Sequence, residues 1–372
     1  MSLVLKEVTS ERDLDRFVRF PDELYKGCAQ YVPPLHRDQK FMLTGAATLK
    51  YCRHRMWLAE QDGKVVGRIS AIINPRYNEF YGVRRVRFGW FDTIDSKEVA
   101  AALLGEAEKW AKSEGMTEIH GPLHHMPYGR QGVLVEGFEN VPPFNCIYNY
   151  PYYRLLLEEL GFEPERDSVQ YIMVANHGVP DKARRVAALV EEKYGLHVGC
   201  IDKLKKDPAM VEAFFDTFDS SFRDKVPNYV PLTEEEKAQE CRRIIPFLTD
   251  RTSCLLLDRD DNIVGFGVSM PSMSQALQKA KGRLLPFGWF HLWRALHKYE
   301  LTDLMANGVC RQWQNKGVSS IYYREMAEKA LRAGNRRAIS SPQTVAGTAA
   351  NIWNCYEHEP YMLRRTYIKK ID

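Results

Sequence analysis

The chain has 372 residues, which predicts two domains at the usual domain size of about 100 to 200 residues. Apolar residues make up 45% and charged residues 27%, so a disordered, collagen-like or low-complexity chain is excluded. The 52 basic and 48 acidic side chains leave a net charge of only +4, and we find no concentrated basic face of the kind that binds nucleic acid. Nucleic acid is therefore not expected as a partner.

The start of the chain is charged from Lys6 onwards, too early for the apolar core of a signal peptide. No later stretch approaches the roughly 18 apolar residues that a transmembrane helix requires. Eight cysteines are widely spaced without a CxxC pair, so neither a zinc site nor a redox pair is expected. We expect a cytoplasmic protein without a transmembrane segment or a bound metal.

An internal repeat organises the chain. Tyr-Val-Pro at 31–33 recurs at 229–231, and the sequence at 62–67 recurs in similar form at 260–265, both at an offset of 198. The second motif lies between apolar runs in each copy, a pattern that predicts a β-hairpin. Two motifs at one spacing indicate duplication, with halves at 1–178 and 179–372 and a hydrophilic boundary near 176–185.

Each hairpin is followed by a predicted strand, helix, short strand and second helix. The periodicity of apolar residues predicts a helix over 96–114 that ends at Gly115, then a strand at IHGPL and a helix closed by Gly161. The second half repeats this order with a helix over 318–333 that ends at Gly334, and a strand at RRAISSP. About 21 additional residues, including a second FGWF at 287–290, form an insertion after the second hairpin.

This order is that of the GCN5-related N-acetyltransferase (GNAT) fold, and the chain resembles two such domains in tandem over most of its length. The resemblance implies an α/β fold with a mixed sheet in each domain. That family holds coenzyme A through a loop of pattern [QR]-x-x-G-x-[GA] between a strand and a helix. The second half matches it except at the last position, with Gln314, Asn315, Lys316, Gly317, Val318 and Ser319.

The resemblance implies that these six residues bind acetyl-CoA or a longer acyl-CoA, together with Val309 at the end of the splayed fourth strand and Asn351 near the pantetheine arm. The physical reason is that free amides at a helix N-terminus attract an anion, while glycine lets the backbone approach it. Arg311 and Lys316 flank the loop, and no acidic residue lies between 304 and 324.

The corresponding turn of the first half carries acidic residues. Asp92, Asp95 and Glu98 surround the helix start, and the last two have the spacing of a capping box. Carboxylates there would occupy the free amides and repel a diphosphate. We therefore expect a first half that is a degenerate GNAT-like domain lacking the coenzyme loop, and a second half that carries it.

Two further resemblances indicate catalytic residues. The family pattern Y-x-x-x-G-F is similar to residues 356–361, and it implies that Tyr356 protonates the departing thiolate; thiol and phenol pKa values of about 8.5 and 10 are close enough for this transfer. Glu300 and Asp303 lie where the family often has a carboxylate base. Strand alternation sends them to opposite faces, so at most one faces the substrate, and Glu300 is our candidate.

We expect an N-acyltransferase that moves an acetyl or longer acyl group from coenzyme A to a small-molecule or peptide amine by direct attack on the thioester. Alternatives are a FemX-type aminoacyl transferase using charged tRNA, which needs a basic channel, and a non-catalytic acyl-CoA sensor. The Gly- and Pro-rich segment 121–153 is expected to wall the acceptor site or dock on the second half. The insertion is expected to cover the acyl pocket, rest on a membrane surface or pack internally. The sequence does not indicate an oligomeric state.

Overall fold

The computed structural model describes residues 2–126, 129–175, 178–345 and 356–371. These residues form two compact units. Unit 1 comprises Met1–Ser168, Met273–Trp293 and Met362–Asp372, and unit 2 comprises Val169–Ser272 and Arg294–Tyr361. Each unit thus takes short segments from the other half of the repeat, and the halves 1–178 and 179–372 remain a prediction about duplication.

The elements of the first half, in chain order, are β1 (Leu3–Glu7), α1 (Glu11–Leu24), α2 (His36–Thr44), β2 (Arg53–Gln61), β3 (Lys64–Ile73), α3 (Pro75–Tyr81), β4 (Arg85–Thr93), α4 (Lys97–Ser113), β5 (Glu118–Gly121), β6 (Val133–Glu136), α5 (Tyr152–Glu159) and β7 (Glu163–Val174). A 3-10 helix spans Ala47–Lys50. The predicted order of hairpin, strand, helix, strand and helix is confirmed.

The elements that follow are α6 (Asp181–Tyr194), β8 (His197–Gly199), α7 (Ile201–Leu204), α8 (Pro208–Phe222), α9 (Glu234–Arg243), β9 (Cys254–Leu257), β10 (Ile263–Pro271), α10 (Ser274–Ala280), α11 (Gly288–His297), β11 (Leu301–Val309), α12 (Ser319–Arg332), β12 (Arg337–Ile339), β13 (Gln343–Thr344) and β14 (His358–Lys370). Two 3-10 helices span Ile245–Phe247 and Arg311–Trp313. The insertion forms α10 and α11, and the second FGWF, at 287–290, leads into the first turn of α11.

The sheet of unit 1 has the order β1-β2-β3-β4-β5-β14, in which only β4 and β5 are parallel. The sheet of unit 2 has the order β7-β12-β11-β10-β9-β8, in which only β11 and β12 are parallel. Mostly antiparallel mixed sheets covered by helices confirm the α/β fold class.

The two sheets correspond strand by strand, including their last members. In unit 1 the strand next to β5 is the end of β14, where Tyr367 pairs with Gly121. In unit 2 the strand next to β12 is the end of β7, where Ile172 pairs with Ile339. Each sheet is therefore completed by a strand whose preceding residues belong to the other unit.

Local sequence explains several elements of unit 1. The β2–β3 hairpin turns at Asp62 and Gly63, which both have positive φ, as an Asp-Gly hairpin turn requires. Helix α4 begins after Ser96 and is followed at Gly115 by a residue with φ of 73°. Its apolar stripe is buried in the core of unit 1, as the periodicity predicts.

Candidate functional site

The loop between β11 and α12 is open to solvent. Asn315 and Gly317 adopt left-handed conformations, with φ of 60° and 79°, and residues 315–317 are exposed. The Gln314 side chain donates a hydrogen bond from Nε2 to the Val309 carbonyl at 3.0 Å. This bond ties the loop back to the end of β11, so the turn has a defined shape.

The N-terminus of α12 is not capped by a side chain. Val318 occupies the cap position without a side-chain hydrogen bond, and the first turn contains no acidic residue. Helix α4, its counterpart in unit 1, is capped by the Ser96 hydroxyl, which accepts from the Val99 amide at 3.4 Å, and it has Glu98 in its first turn. The first-turn amides of α12 are thus better placed than those of α4 to meet an anion.

The expected capping box of α4 is wrong in detail. Ser96, not Asp95, is the cap. Asp92 lies within β4 and accepts hydrogen bonds from Arg68 at 2.7 Å and from the Tyr25 hydroxyl at 3.0 Å. A buried arginine therefore fixes this carboxylate, and only Glu98 remains in the first turn of the helix.

The charges around the α12 loop are mostly basic. The exposed Lys316 ammonium lies 4.7 Å from the centre of the Trp313 ring and 5.7 Å from that of Tyr194, which is cation–π range. Arg311 lies 3.6 Å from a carboxylate oxygen of Asp224. The local sequence shows no acidic residue near the loop, but the fold brings Asp224 to Arg311 from a distant part of the sequence.

A gap opens between β11 and β12 beside this loop. The two strands pair only from Leu301 to Asp303, and β11 continues to Val309. After β12 the chain turns to β7 instead, where the Ser340 amide donates to the Tyr171 carbonyl at 2.8 Å. Within the described ranges, no strand covers this edge of β11 beyond Asp303, so backbone groups there can meet a ligand.

A bulge interrupts β11 at the same place. Ser269 of β10 pairs with Leu304 and Val268 pairs with Ala306, which leaves Met305 opposite no residue of β10. Bulges of this kind redirect backbone groups and are frequent next to active sites. The gap and the bulge together form the splayed fourth strand that the resemblance implies.

In unit 1 the corresponding gap is filled. The strands β4 and β5 pair over only three residues, but the Leu123 amide then donates to the Phe88 carbonyl at 2.7 Å. A Cβ atom on Gly121 would lie 2.3 Å from that carbonyl oxygen, and one on Gly89 would lie 2.4 Å from the Leu123 carbonyl oxygen. Backbone thus occupies the position that stays open in unit 2.

An apolar cleft of about 600 Å³ lies in unit 2 between α12, the strands β11, β12 and β7, and Tyr356. Its lining is mostly apolar, with polar groups at one end. The residues are Met173, Val174, Ala175, Ser269, Thr302, Leu304, Tyr323, Met326, Ala327, Ala330, Asn335, Arg336, Arg337, Ala338, Tyr356 and Glu357. This volume includes space that is open to solvent.

Tyr356 lines this cleft, and its hydroxyl oxygen is shielded from solvent. The motif that suggested it is not supported in its original form, because Pro360 and Tyr361 lie inside β14. In the first half Gly161 and Phe162 come just before β7. When the first residues of β7 and β14 are aligned, Tyr356 corresponds to Gly161. Asn351 lies outside the described residues.

The two candidate bases differ sharply in environment. Glu300 is exposed just before β11. Asp303 is 1% exposed, and the Ser272 side chain lies close enough to its carboxylate to oppose in part the effect of burial on its pKa. Burial raises the pKa of Asp303 to about 7. A carboxyl group whose pKa lies near neutral pH is suited to accept a proton. Asp303 lies on β11 where the gap begins.

Sequence reasoning missed a hydrogen-bonded group beside the gap. The Tyr322 and Tyr323 hydroxyls donate to the Asn307 side-chain oxygen at 3.0 and 3.3 Å. Adjacent tyrosines on a helix with apolar periodicity suggest only core packing, so no sequence signal identifies their shared partner. Because both bonds reach β11, they fix the strand edge that borders the gap.

Unit 1 holds a separate polar cavity with about 560 Å³ of empty space. The Arg68–Asp92 ion pair lines it, together with Trp90, whose φ is 45° and whose ring stacks on His124 at 3.6 Å. The segment 121–153 supplies much of the wall, including Arg130 and residues 147–149. That the segment walls the acceptor site or docks on the second half stays a prediction, and within unit 1 it lines this cavity.

The three histidines of the segment 120–125 are not exposed loop residues. His120 belongs to β5, and all three are buried. Burial lowers their pKa values, so they are neutral at physiological pH. Over the described parts of the chain, no three His, Cys, Asp or Glu side chains are arranged to hold a metal ion, and no helix is long and apolar enough to cross a membrane.

Comparison with curated proteins gives two relatives. The chain is 27% identical over 378 residues to Protein YghO of Escherichia coli K12, covering 99% of this chain and 95% of that protein. It is 26% identical over 296 residues to a bacterial ceramide synthase of Caulobacter vibrioides, covering 77% of this chain and 75% of that protein. No protein-family model matches the chain.

Solved structures with similar folds are GNAT proteins. A tandem GNAT protein from the clavulanic acid biosynthesis pathway matches with a TM-score of 0.59 at 11% identity, covering 100% of this chain and 99% of that chain. A GCN5-related N-acetyltransferase from Sphaerobacter thermophilus gives 0.55 at 12% identity, covering 99% and 96%. The glucosamine N-acetyltransferase region of a fungal β-N-acetylglucosaminidase gives 0.60 at 11% identity, covering 99% of this chain and 38% of that one. At these identities the matches show the fold.

Proposed function

We propose that this chain, which has the fold of two GNAT domains in tandem, is an acyl-CoA-dependent N-acyltransferase whose second unit carries the reaction. The observation that carries the proposal is the N-terminus of α12, which has no side-chain cap, follows the exposed Gly317 and lies beside the open edge of β11. The free amides and the basic flank suit the diphosphate of coenzyme A, and the gap between the strands suits its narrow pantetheine arm. Unit 1 lacks these features together.

Each residue of the loop has its own role in the proposed binding of the coenzyme. Gly317 lets the backbone of the turn approach the diphosphate, since a side chain would be strained at its φ of 79°. The amides of Val318 and Ser319 would face the diphosphate, and Lys316 would add a positive charge at the rim. Gln314, with its bond to Val309, holds the turn in position.

The reaction follows from the groups along β11. A neutral amine attacks the thioester carbon, and its proton passes to the Asp303 carboxylate as the carbon–nitrogen bond forms. Backbone N–H groups at the bulge near Met305 stabilise the oxyanion. The carbon–sulfur bond then breaks, and Tyr356 donates a proton to the thiolate. Asp303 replaces Glu300 as our proposed base, because Asp303 is buried on β11 where the gap begins, whereas Glu300 is exposed just before the strand.

The cleft beside Tyr356 supports an acyl group longer than acetyl. Its wall includes Met173, Leu304 and Met326, and the small side chains of Ala327 and Ala330 leave space against α12. The Caulobacter vibrioides relative is a ceramide synthase, and a ceramide is an N-acylated long-chain amine. We therefore propose a long-chain acyl donor and a lipid-like amine acceptor.

Filling the cleft should shorten the preferred acyl chain. In Ala330→Phe the ring would displace two or more methylene groups, each worth about 0.8 kcal/mol when buried. We expect kcat/KM for long-chain acyl-CoA to fall about tenfold while that for acetyl-CoA is retained. Steady-state kinetics over a series of acyl lengths measures this effect.

Ala333→Phe is the matched control, because Ala333 lies at the exposed end of the same helix and outside the cleft. An equal loss at every chain length in Ala330→Phe, or no loss at any, would contradict the assignment of the cleft to the acyl chain.

The proposed function is tested by following the release of coenzyme A thiol and the mass of the acylated product. Acetyl-CoA and longer acyl-CoAs are supplied with a panel of amines that includes long-chain amino alcohols. Amine-dependent thiol release with a matching product mass supports the proposal. Binding of acyl-CoA without turnover of any amine would indicate a sensor instead, and acyl transfer only from aminoacyl-tRNA would indicate the FemX type.

A further inference from the structure

The insertion of the second half carries a concentration of positive charge. Residues 279–298, named here the basic–aromatic segment, contain five Lys or Arg residues and two His residues. No Asp or Glu occurs from 272 to 299. In a chain whose net charge is +4, this segment alone contributes +5. This concentration corrects the expectation that the chain has no concentrated basic region.

The same segment exposes large apolar side chains. The exposed fractions are 76% for Leu285, 69% for Phe287, 53% for Trp289, 42% for Phe290 and 53% for Trp293. Fifteen large hydrophobic side chains are exposed among the residues that the structure describes, and these five fall within nine consecutive positions. Such clustering marks an interaction surface, whereas isolated exposed apolar residues are ordinary.

Hydrogen bonds tie the start of the segment to the rest of unit 1. Gln278, the residue just before the segment, donates to the Ala29 carbonyl at 2.7 Å, and the His36 amide donates to the Gly282 carbonyl at 2.9 Å. The Trp289 amide donates to the Leu284 carbonyl at 2.8 Å, and a Cβ atom on Gly288 would lie 1.9 Å from the Arg283 carbonyl oxygen. Close packing on one side and exposed aromatic rings on the other indicate a built surface, which corrects the expectation of internal packing.

We propose that the basic–aromatic segment docks the protein on an anionic lipid surface. Tryptophan and phenylalanine enter the boundary between headgroups and acyl chains, while lysine and arginine attract anionic lipids. Helix α11 has 10 residues, about 15 Å of helix, so it lies on the surface and does not cross it. The proposal does not depend on the proposed function, although a membrane would supply lipid-like substrates.

Charge argues against a second copy of the chain as the occupant. A two-fold contact through this surface would bring the same five cations of each copy together without an acidic partner in the segment. Protein interfaces are also depleted in lysine. An anionic bilayer neutralises the same charges, so it is the occupant that the composition favours.

The test is co-sedimentation of the full chain, without acyl-CoA, with vesicles of phosphatidylcholine alone or of phosphatidylcholine mixed with phosphatidylglycerol. We expect binding to the mixed vesicles that weakens as salt is raised. Trp289→Ser combined with Trp293→Ser should lower the partition coefficient about tenfold or more. Lys281→Gln combined with Arg283→Gln should lower it by a similar factor, and only for the anionic vesicles.

Phe247→Ser is the matched control, because Phe247 is 52% exposed and lies outside the segment. It should bind vesicles as the parent protein does, and thermal unfolding followed by circular dichroism should give equal midpoints for all variants. Equal binding by the parent and the double tryptophan variant would overturn the proposal. So would a lipid-free dimer, detected by light scattering, that the tryptophan substitutions dissociate.

Discussion

Asp303→Asn is expected to lower the rate of acyl transfer by about 10²- to 10⁴-fold, the usual contribution of a general base, with little change in acyl-CoA affinity. Asparagine has nearly the same shape but cannot accept the proton of the attacking amine. The carboxylate is suited to this role because burial raises its pKa to about 7, so that a large fraction is ionised at neutral pH yet still basic. Single-turnover kinetics and calorimetric titration with acyl-CoA separate the two effects.

The pH dependence provides an independent signature. Asp303 accepts a proton only when it is ionised, so its contribution to the rate should be small below pH 7 and should level off above it. The amine substrate must also lose its proton as pH rises. The ratio of the parent rate to the Asp303→Asn rate cancels the effect of amine deprotonation. This ratio should increase as the pH is raised through about 7.

The stability of the folded chain should change in the opposite direction. Because the pKa of Asp303 rises from 3.8 to about 7 on folding, the protonated native state is favoured at low pH, and that stability is lost as pH rises through the folded pKa. Asp303→Asn should remove this dependence, which amounts to about 4 kcal/mol between the two pKa values. Urea unfolding at several pH values measures it.

Glu300→Gln is the matched control, because Glu300 lies three residues before Asp303 and its side chain is exposed. Like Asp303→Asn, it removes one carboxyl group. We expect a rate and a stability profile close to those of the parent protein. If Glu300→Gln instead lost the activity and Asp303→Asn kept it, the assignment of the base would be reversed in favour of the residue first expected from the sequence.

Gly317→Glu is expected to weaken acyl-CoA binding by about 100-fold. Glutamate places a negative charge among the free amides of α12, where a diphosphate gains up to about 2 kcal/mol from the helix terminus, and like-charge repulsion adds to that loss. The left-handed φ of 79° also disfavours any side chain there. Calorimetric titration with acetyl-CoA measures the affinity.

The matched control for this variant is Gly334→Glu at the other end of the same helix. Gly334 has φ of 78°, and no atom lies within 4 Å of a Cβ built on it, so the substitution carries the same backbone cost and the same added charge. It should bind acetyl-CoA as the parent protein does. Equal losses in both variants would mean that strain in α12 explains the effect, and the coenzyme site would then lie elsewhere.

The features that depend on neighbouring residues were predictable from the sequence. The hairpin turn at Asp62, the end of α4 at Gly115 and the end of α12 at Gly334 each rest on a few adjacent side chains and a required backbone conformation. The loop around Gly317 belongs to the same class. The helix after it followed from periodicity and the strand before it from the resemblance to the GNAT family, and the loop is an exposed turn.

The features that depend on distant contacts were not predictable. The basicity of Asp303 comes from its burial within unit 2, and the approach of Asp224 to Arg311 joins residues far apart in the chain. The local structure after Tyr356 was not predictable either, because a strand already begins at His358, and pairing with other strands decides where a strand begins. Short patterns carry no information about such partners.

The crossing of β7 and β14 between units has a consequence for how the protein is made. The sheet of unit 1 needs residues 362–370 as the strand beside β5, so more than half of the chain separates that strand from its partner. A nascent polypeptide of 178 residues would lack the strand beside β5, and the unpaired edge of β5 would be prone to aggregation. Expression of either half alone should therefore give insoluble material, because neither half can complete its own sheet.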